Sequence, residues 1–421
     1  MTDQRIEADV LIRGDGTVVE PGVVTISDGT ITHAGPAATA PPTPPEAVVV
    51  RTPALMPGMW DAHCHFFGVR RPNLEALVID PVMLRSMRIT QDARRALMAG
   101  FTSVREMGGL GVYLARAVTE GSVAGPNVYA AGAILSATGG HGDIHSIPEE
   151  WMTTGGRIDD LALCDGPDEC RKAVRRQLRK GARVIKVCAS GGVLSEYDDP
   201  QHQQFSHEEL VAIVHEAAMA ERVVAAHCHG KAGILAAVRA GVRTIEHGTY
   251  LDRDAATAMA DCGAILVATR FVGAELLAQP PERGLADFAR RKLTETFRRG
   301  REAVEVALAA GVTIAAGTDV LTSDDQWGRN GRELALLVEC GMSPEQAIAA
   351  ATSVGPLTVG PQAEGSGVLA AGEPADLIAV ATDPRRAIEV LGEADQITHV
   401  WKSGALVKGT SRSQIDGTVT G

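Results

Sequence analysis

From about residue 55 to about residue 360 the chain alternates short β-rich runs with segments of helical spacing, and this alternation restricts the possible folds most. The runs at 102–107, 128–135, 184–189, 223–228, 244–247, 264–269 and 313–318, together with the apolar run at 54–59, make eight strands. Segments 168–180, 210–220 and 299–310 carry helical spacing. Ser206 with Glu209, and Ser343 with Gln346, stand at capping-box spacing where helices should start. Eight strand–helix units call for an α/β fold, a closed (β/α)8 TIM barrel. In such a barrel the C-terminal ends of all strands converge on one mouth, so residues hundreds of positions apart can meet.

The two ends of the chain have a different texture. Residues 6–51 read as short strands broken by Gly14-Asp15-Gly16, Asp28-Gly29 and a Pro-rich linker at 41–45. Residues 365–407 repeat that habit, with Gly372-Glu373-Pro374 and Ser403-Gly404 as turns. Neither end is long enough for a robust core of its own. The expectation is one small β-sandwich domain assembled from residues 1–57 and 360–421, beside a barrel domain of residues 58–359, with residues 411–421 as a mobile tail.

Composition narrows the function. A chain of 421 residues, 45% hydrophobic and 22% charged, can bury a sizeable core. A net charge of −12 argues against general affinity for nucleic acid or an anionic membrane, which needs clustered Lys and Arg. The basic stretch at 171–180 reads as the solvated face of a helix. The N-terminus lacks an apolar signal segment, and no apolar run reaches the roughly twenty residues that span a bilayer. The expectation is a soluble cytoplasmic protein. Seven cysteines without a repeated spacing do not make a disulfide framework. Cys64, Cys188 and Cys228 are expected to point away from the barrel interior, as small apolar fillers under the helices.

The chemistry is carried by Asp61-Ala62-His63-Cys64-His65. On a strand, residues two apart share a side, so His63 and His65 can offer two imidazoles to one metal ion. Lys186, His227, His247 and Asp319 each end a later strand-like run, which makes six potential ligands at recurring positions. His229 shares the side of His227, and spacing does not choose between them.

These residues also carry a family resemblance. Pro57–His65, Val184-Ile185-Lys186-Val187 with Ser190-Gly191-Gly192-Val193, His227-Cys228-His229-Gly230, Thr244–Gly248 and Ala316-Gly317-Thr318-Asp319 resemble the strand-end motifs of the amidohydrolase superfamily. The segment 367–384 resembles that family's return to its β-sandwich. Thr138-Gly139-Gly140-His141-Gly142 and the Lys186 strand most resemble the prolidase and imidazolonepropionase-like branch, which includes dipeptidases and an ochratoxin-hydrolysing amidase. The resemblance implies two divalent metal ions, Zn2+ first among them. His63, His65 and Asp319 would hold one, His227 and His247 the other, with family position favouring His227 over His229. It implies an N6-carboxylated Lys186 bridging the pair, because an ammonium cannot ligate whereas its carbamate can. Asp319 would serve as general base and then general acid for attack by a metal-bridging hydroxide.

The implied reaction is cleavage of the amide C–N bond of a small N-acyl amino acid, dipeptide or aryl amide. A cyclic amide of imidazolone or lactam type is the alternative, and a non-catalytic assembly protein of the same fold is a third reading. Around the metals, His141 resembles the residue that contacts the substrate carbonyl and could stabilise an oxyanion, or could simply orient its loop. His229, Tyr250, Arg270 and Trp327 are candidate substrate contacts, with Arg329 as an anion partner. Arg105 reads as structural, paired with Glu106. The expected partner is a small-molecule substrate, and the family implies a homo-oligomer.

Overall fold

Parallel strand pairing runs around the molecule in one direction. In this computed structural model, which describes residues 3–153, 159–280, 285–323, 326–363 and 365–410, strand Met59–Val69 pairs with Phe101–Glu106, which pairs with Asn127–Ala130. A second parallel set continues from Ile134–Ser136 through Ile185–Cys188, Val224–Cys228, Thr244–His247 and Ile265–Val267 to Ile314–Ala315. Backbone hydrogen bonds join the two sets. Arg183 N–H donates to Ala130 O at 2.8 Å, and on the other side Ala62 N–H donates to Ala316 O at 2.8 Å and Thr318 N–H to His63 O at 3.0 Å. The pairing follows the (β/α)8 barrel pattern, with helices in the connections.

Two expected strands differ in detail. The run at 128–135 is divided into Asn127–Ala130 and Ile134–Ser136, because Gly132 takes a φ of 75° and turns the chain between them. Of the run at 313–318 only Ile314–Ala315 is a regular strand, and the chain then bends at Asp319 and pairs again, at Val320–Thr322, with the first barrel strand. The helices Gly166–Lys180, His207–Ala218 and Asp287–Ala309 cover the expected helical segments, the last beginning well before residue 299. Both capping boxes form: Ser206 and Ser343 accept from the N–H of Glu209 and Gln346, whose side chains reach back to the cap.

The chain ends meet in one eight-stranded sheet. Val48–Pro57 lies between Gln4–Ile12, parallel, and Leu377–Val380, antiparallel; Gly22–Ser27 and Thr30–Pro36 extend one edge, Ile397–Lys402 and Ala405–Lys408 the other, and the short Val18–Val19 pairs off this path with the end of Gln4–Ile12. The hydrogen-bonded path is continuous. Its own core contains Ile6, Leu11, Leu55, Leu377 and Trp401. The proposed tail at 411–421 lies outside the described residues. Among those described, no helix is long and apolar enough to cross a membrane.

Candidate metal centre

The strand ends that carry the candidate ligands are tied to each other before any ligand chemistry is considered. The buried Asp61 carboxylate accepts from His63 N–H at 3.1 Å, Thr318 N–H at 3.1 Å, the Thr318 hydroxyl at 2.6 Å and Asn330 Nδ2 at 2.8 Å. It thereby clamps the His63 strand to the strand end that bears Asp319. Asp319, His247 and Thr269 have φ values of 56°, 70° and 50°. Such left-handed backbone at non-glycine residues costs about 1–3 kcal/mol each, and it persists where the surroundings over-determine it.

Two groups of ligating atoms result: His63, His65 and Asp319, and His227, His229 and His247, the atoms of each lying within 4.8 Å of one another. In the first, His63 Nδ1 donates to Glu246 Oε2 at 2.6 Å and His65 Nδ1 to Gly108 O at 2.8 Å. With each ring proton committed, both Nε2 atoms carry lone pairs, yet they sit 3.3 Å apart and 3.4 and 3.1 Å from Asp319 Oδ1. Three such atoms converging in this way fit a shared proton or a cation between them. In the second group His229 Nδ1 meets the Thr249 hydroxyl at 2.7 Å and His247 Nδ1 the Thr269 hydroxyl at 2.6 Å, while His227 Nε2 donates to Gly191 O at 3.1 Å. Burial first, and neighbouring imidazoles second, hold His227, His229 and His247 below the ordinary histidine value, His229 at about 3. Burial opposes the charge of Asp319, but His63, His65 and His247 hold its carboxyl well below the usual range. Neutral imidazoles and an ionised carboxylate are the donor set of a divalent metal.

The floor of the centre holds a residue that the sequence reading missed. Glu246, fully buried, accepts from Arg105 Nη2 at 2.8 and 2.9 Å as well as from His63. Arg105 was expected to pair with Glu106. It reaches Glu246 because its side chain crosses the barrel interior, where Nε also donates to Ala62 O at 2.5 Å and Nη1 to Thr244 Oγ1 at 2.8 Å. The adjacent Glu106 instead lies buried with its carboxyl pushed up to about 8, by burial first and then by Asp160. The signal for Glu246 was present: Thr244 and Glu246 alternate on one side of a strand, and a carboxylate there is costly unless paired.

One pocket collects most of the remaining candidates. It spans about 1040 Å3 counting its open mouth, and His141, His229 and Arg270 line it together with His63, His65, Lys186, His227, His247 and Asp319. Lys186 is 2% exposed and has no hydrogen-bond or ion-pair partner among the described residues; burial pushes its amine below the ordinary lysine value. Both His227 and His229 border the pocket, so the choice between them stays open. Arg270 packs its guanidinium 4.0 Å over the Phe297 ring, and its buried Nε has no hydrogen-bond partner.

Three expectations meet a different placement. Trp327 is 3% exposed and stacked on Phe66, with ring centroids 4.7 Å apart, in the core beneath the helices instead of at the mouth. Its indole fills space there, and Arg329 beside it pairs with Glu275 at 2.8 Å. Tyr250 is not among the pocket-lining residues; its backbone N–H donates to His229 O at 2.9 Å, which fixes that turn. Cys64 and Cys228 lie in the helix-side core as expected, but Cys188 borders the pocket. It is two residues from Lys186 and so shares that residue's face.

With this geometry in view, comparison with known proteins is direct. The amidohydrolase family model matches residues 54–407. The ochratoxinase of Aspergillus niger is 42% identical over 420 residues, covering 96% of this chain and 86% of the relative. Its crystal structure superposes with a TM-score of 0.89 at 41% identity, covering 97% of this chain and 96% of the other. A prolidase solved with N-methylphosphonate-L-proline superposes with a TM-score of 0.88 at 32% identity, covering 97% of this chain and all of the other. The chain belongs to the amidohydrolase family, in the branch that contains ochratoxinase and the prolidases, and is a hydrolase acting on carbon–nitrogen bonds.

Proposed function

We propose that the protein is a binuclear metal-dependent amidohydrolase that cleaves the amide C–N bond of a small N-acyl amino acid, dipeptide or aryl amide. The observation that supports this most is the convergence of both three-residue ligand groups and Lys186 on one pocket. Two divalent cations held there, zinc foremost, would polarise the scissile carbonyl and lower the pKa of bound water. Lys186, buried and unpaired with its amine biased toward the neutral form that adds carbon dioxide, is suited to become the bridging carbamate. Asp319, ionised, can take a proton from the attacking water and return it to the departing amine.

The walls suggest the substrate. Phe67, Leu74, Leu161, Val272 and Leu276 offer apolar surface to an acyl group. Arg270 is a cation in that wall without an ion-pair partner among the described residues, and a carboxylate on the leaving amine would supply one. In the same reading residues 58–359 form a (β/α)8 barrel domain, and residues 1–57 with 360–421 a composite β-sandwich domain.

Elemental analysis of active protein should find about two zinc-like ions per chain, with activity lost to chelators. One ion or fewer in fully active protein would sink the binuclear reading. Ochratoxin, N-benzoyl-phenylalanine and Xaa-Pro dipeptides are the first substrates to try. Each N-acyl amino acid should be cleaved faster than its C-terminal amide; equal kcat/KM for the pair would remove the carboxylate anchor.

A further inference from the structure

His141 is held by a hydrogen-bonded chain that spans three separate loops and helices. Its Nδ1 meets Ser195 Oγ at 2.7 Å, Ser195 Oγ donates to Asp198 Oδ1 at 2.6 Å, and Asp198 Oδ2 accepts from Gly192 N–H at 3.0 Å and Gln204 Nε2 at 3.1 Å. His141 N–H in turn donates to Gln204 Oε1 at 2.9 Å. From the helix Asp287–Ala309, Lys292 Nζ donates to the carbonyls of Asp198 at 2.6 Å, Ser195 at 2.8 Å and Gly192 at 3.2 Å. Gly192 is needed where it stands, since a Cβ there would come within 2.1 Å of the His141 ring. The other ring face stacks on His227, with centroids 4.2 Å apart.

The direction of the chain follows from counting protons. Asp198 faces donors at both oxygens, Gly192 N–H and Gln204 Nε2 at Oδ2 and Lys292 Nζ 3.3 Å from Oδ1, and is the carboxylate of this chain. A carboxylate only accepts, so the single Ser195 hydroxyl proton goes to Asp198. Ser195 Oγ must then accept from His141 Nδ1–H. That leaves Nε2 as the ring nitrogen available to the pocket that His141 lines.

We propose that Asp198, acting through Ser195, and Lys292, acting through the 190–198 loop, are positioning residues that fix the His141 ring by an Nδ1–H bond to Ser195, leaving Nε2 to meet the substrate. This deepens the amide-hydrolase reading, on which its kinetic consequences rest.

The test is 15N NMR of histidine-labelled, zinc-loaded protein, with the His141 signals assigned by their loss in His141→Gln. A protonated Nδ1 is expected in the wild type. Ser195→Ala should give a mixture of tautomers and lower kcat on N-benzoyl-phenylalanine about 10-fold to 10²-fold with KM changed less, and Ser195→Thr, which keeps the hydroxyl, should restore both. A wild-type His141 unprotonated at Nδ1, or Ser195→Ala with the wild-type tautomer and kcat, overturns the proposal. The spectrum does not depend on which amide is the substrate, so it stands if that compound is not cleaved, and the wild-type spectrum decides alone if Ser195→Ala fails to fold.

Discussion

The two ligand groups of the pocket are built from the same residue types but are fastened differently. His63 and His65 give their Nδ1 protons to a carboxylate and a backbone carbonyl, acceptors with no proton to offer in return. His229 and His247 face the hydroxyls of Thr249 and Thr269, which can donate or accept. In the first group the lone pairs are therefore fixed before anything binds, and Arg105 anchors Glu246 behind them in turn. In the second, two of the three imidazoles can exchange tautomers at small cost. Hydrogen bonds behind the ligands set ligand orientation as firmly as the strands do.

The comparison breaks most visibly at Asp319, which belongs to the fixed group and is proposed to move the proton. Asp319→Asn keeps the shape and removes the charge, and should lower kcat by about 10³-fold or more while the melting temperature stays near that of the wild type. Normal turnover in this variant would take the proton transfer away from Asp319. The next effect concerns the fastening itself. Glu246→Gln leaves His63 facing an amide of either polarity and Arg105 without its counter-charge, and should weaken metal binding by about 10–100-fold in competition with a chelator. Thr269→Val, at the equivalent place behind His247, should cost less than about tenfold. Equal losses in the two variants would mean that the groups are not differently fastened after all.

How far the sequence could be read follows the same division. The ligands were legible because metal chemistry admits few residue types and strand geometry places them at run ends, as at His63 and His65. The capping boxes at Ser206 and Ser343 were legible because every partner lies within three residues. The fastening was not. His63 is separated by 183 residues from Glu246, and Lys292 by 94 from Asp198, distances over which spacing carries no signal. Strand alternation alone does not bring the adjacent Glu246 and His247 to work in the same site; the left-handed backbone at His247 intervenes, and no pattern announces it. Trp327 misled because a large aromatic in a mouth loop looks exposed until its stacking on Phe66 is seen. Cys188 could have been placed correctly, since it is two positions from Lys186.

The smallest effect sharpens the comparison from outside the ligand groups, through a buried carboxyl of opposite tendency to Asp319. Glu333 accepts from the N–H groups of Arg270 at 3.1 Å and Phe271 at 2.6 Å, and so caps the helix Arg270–Ala278 that carries the pocket cation. Those bonds favour its charge, but burial outweighs them and raises it from 4.5 to about 8. The folded state therefore favours protonated Glu333 more than the unfolded chain does. Its contribution to stability is fully present below about pH 4.5 and is lost as the pH rises toward 8. Glu106, raised in the same way, adds to the slope. Glu333→Gln keeps an acceptor oxygen for the helix and removes the titration. The variant should melt within about 1 °C of the wild type at pH 5 and a few degrees above it at pH 8.5, with part of the alkaline slope left to Glu106. Comparing the two proteins at equal free zinc cancels the pH dependence of metal binding. A difference in melting temperature that is the same at both pH values would show that Glu333 is charged throughout, and that its two N–H bonds outweigh its burial.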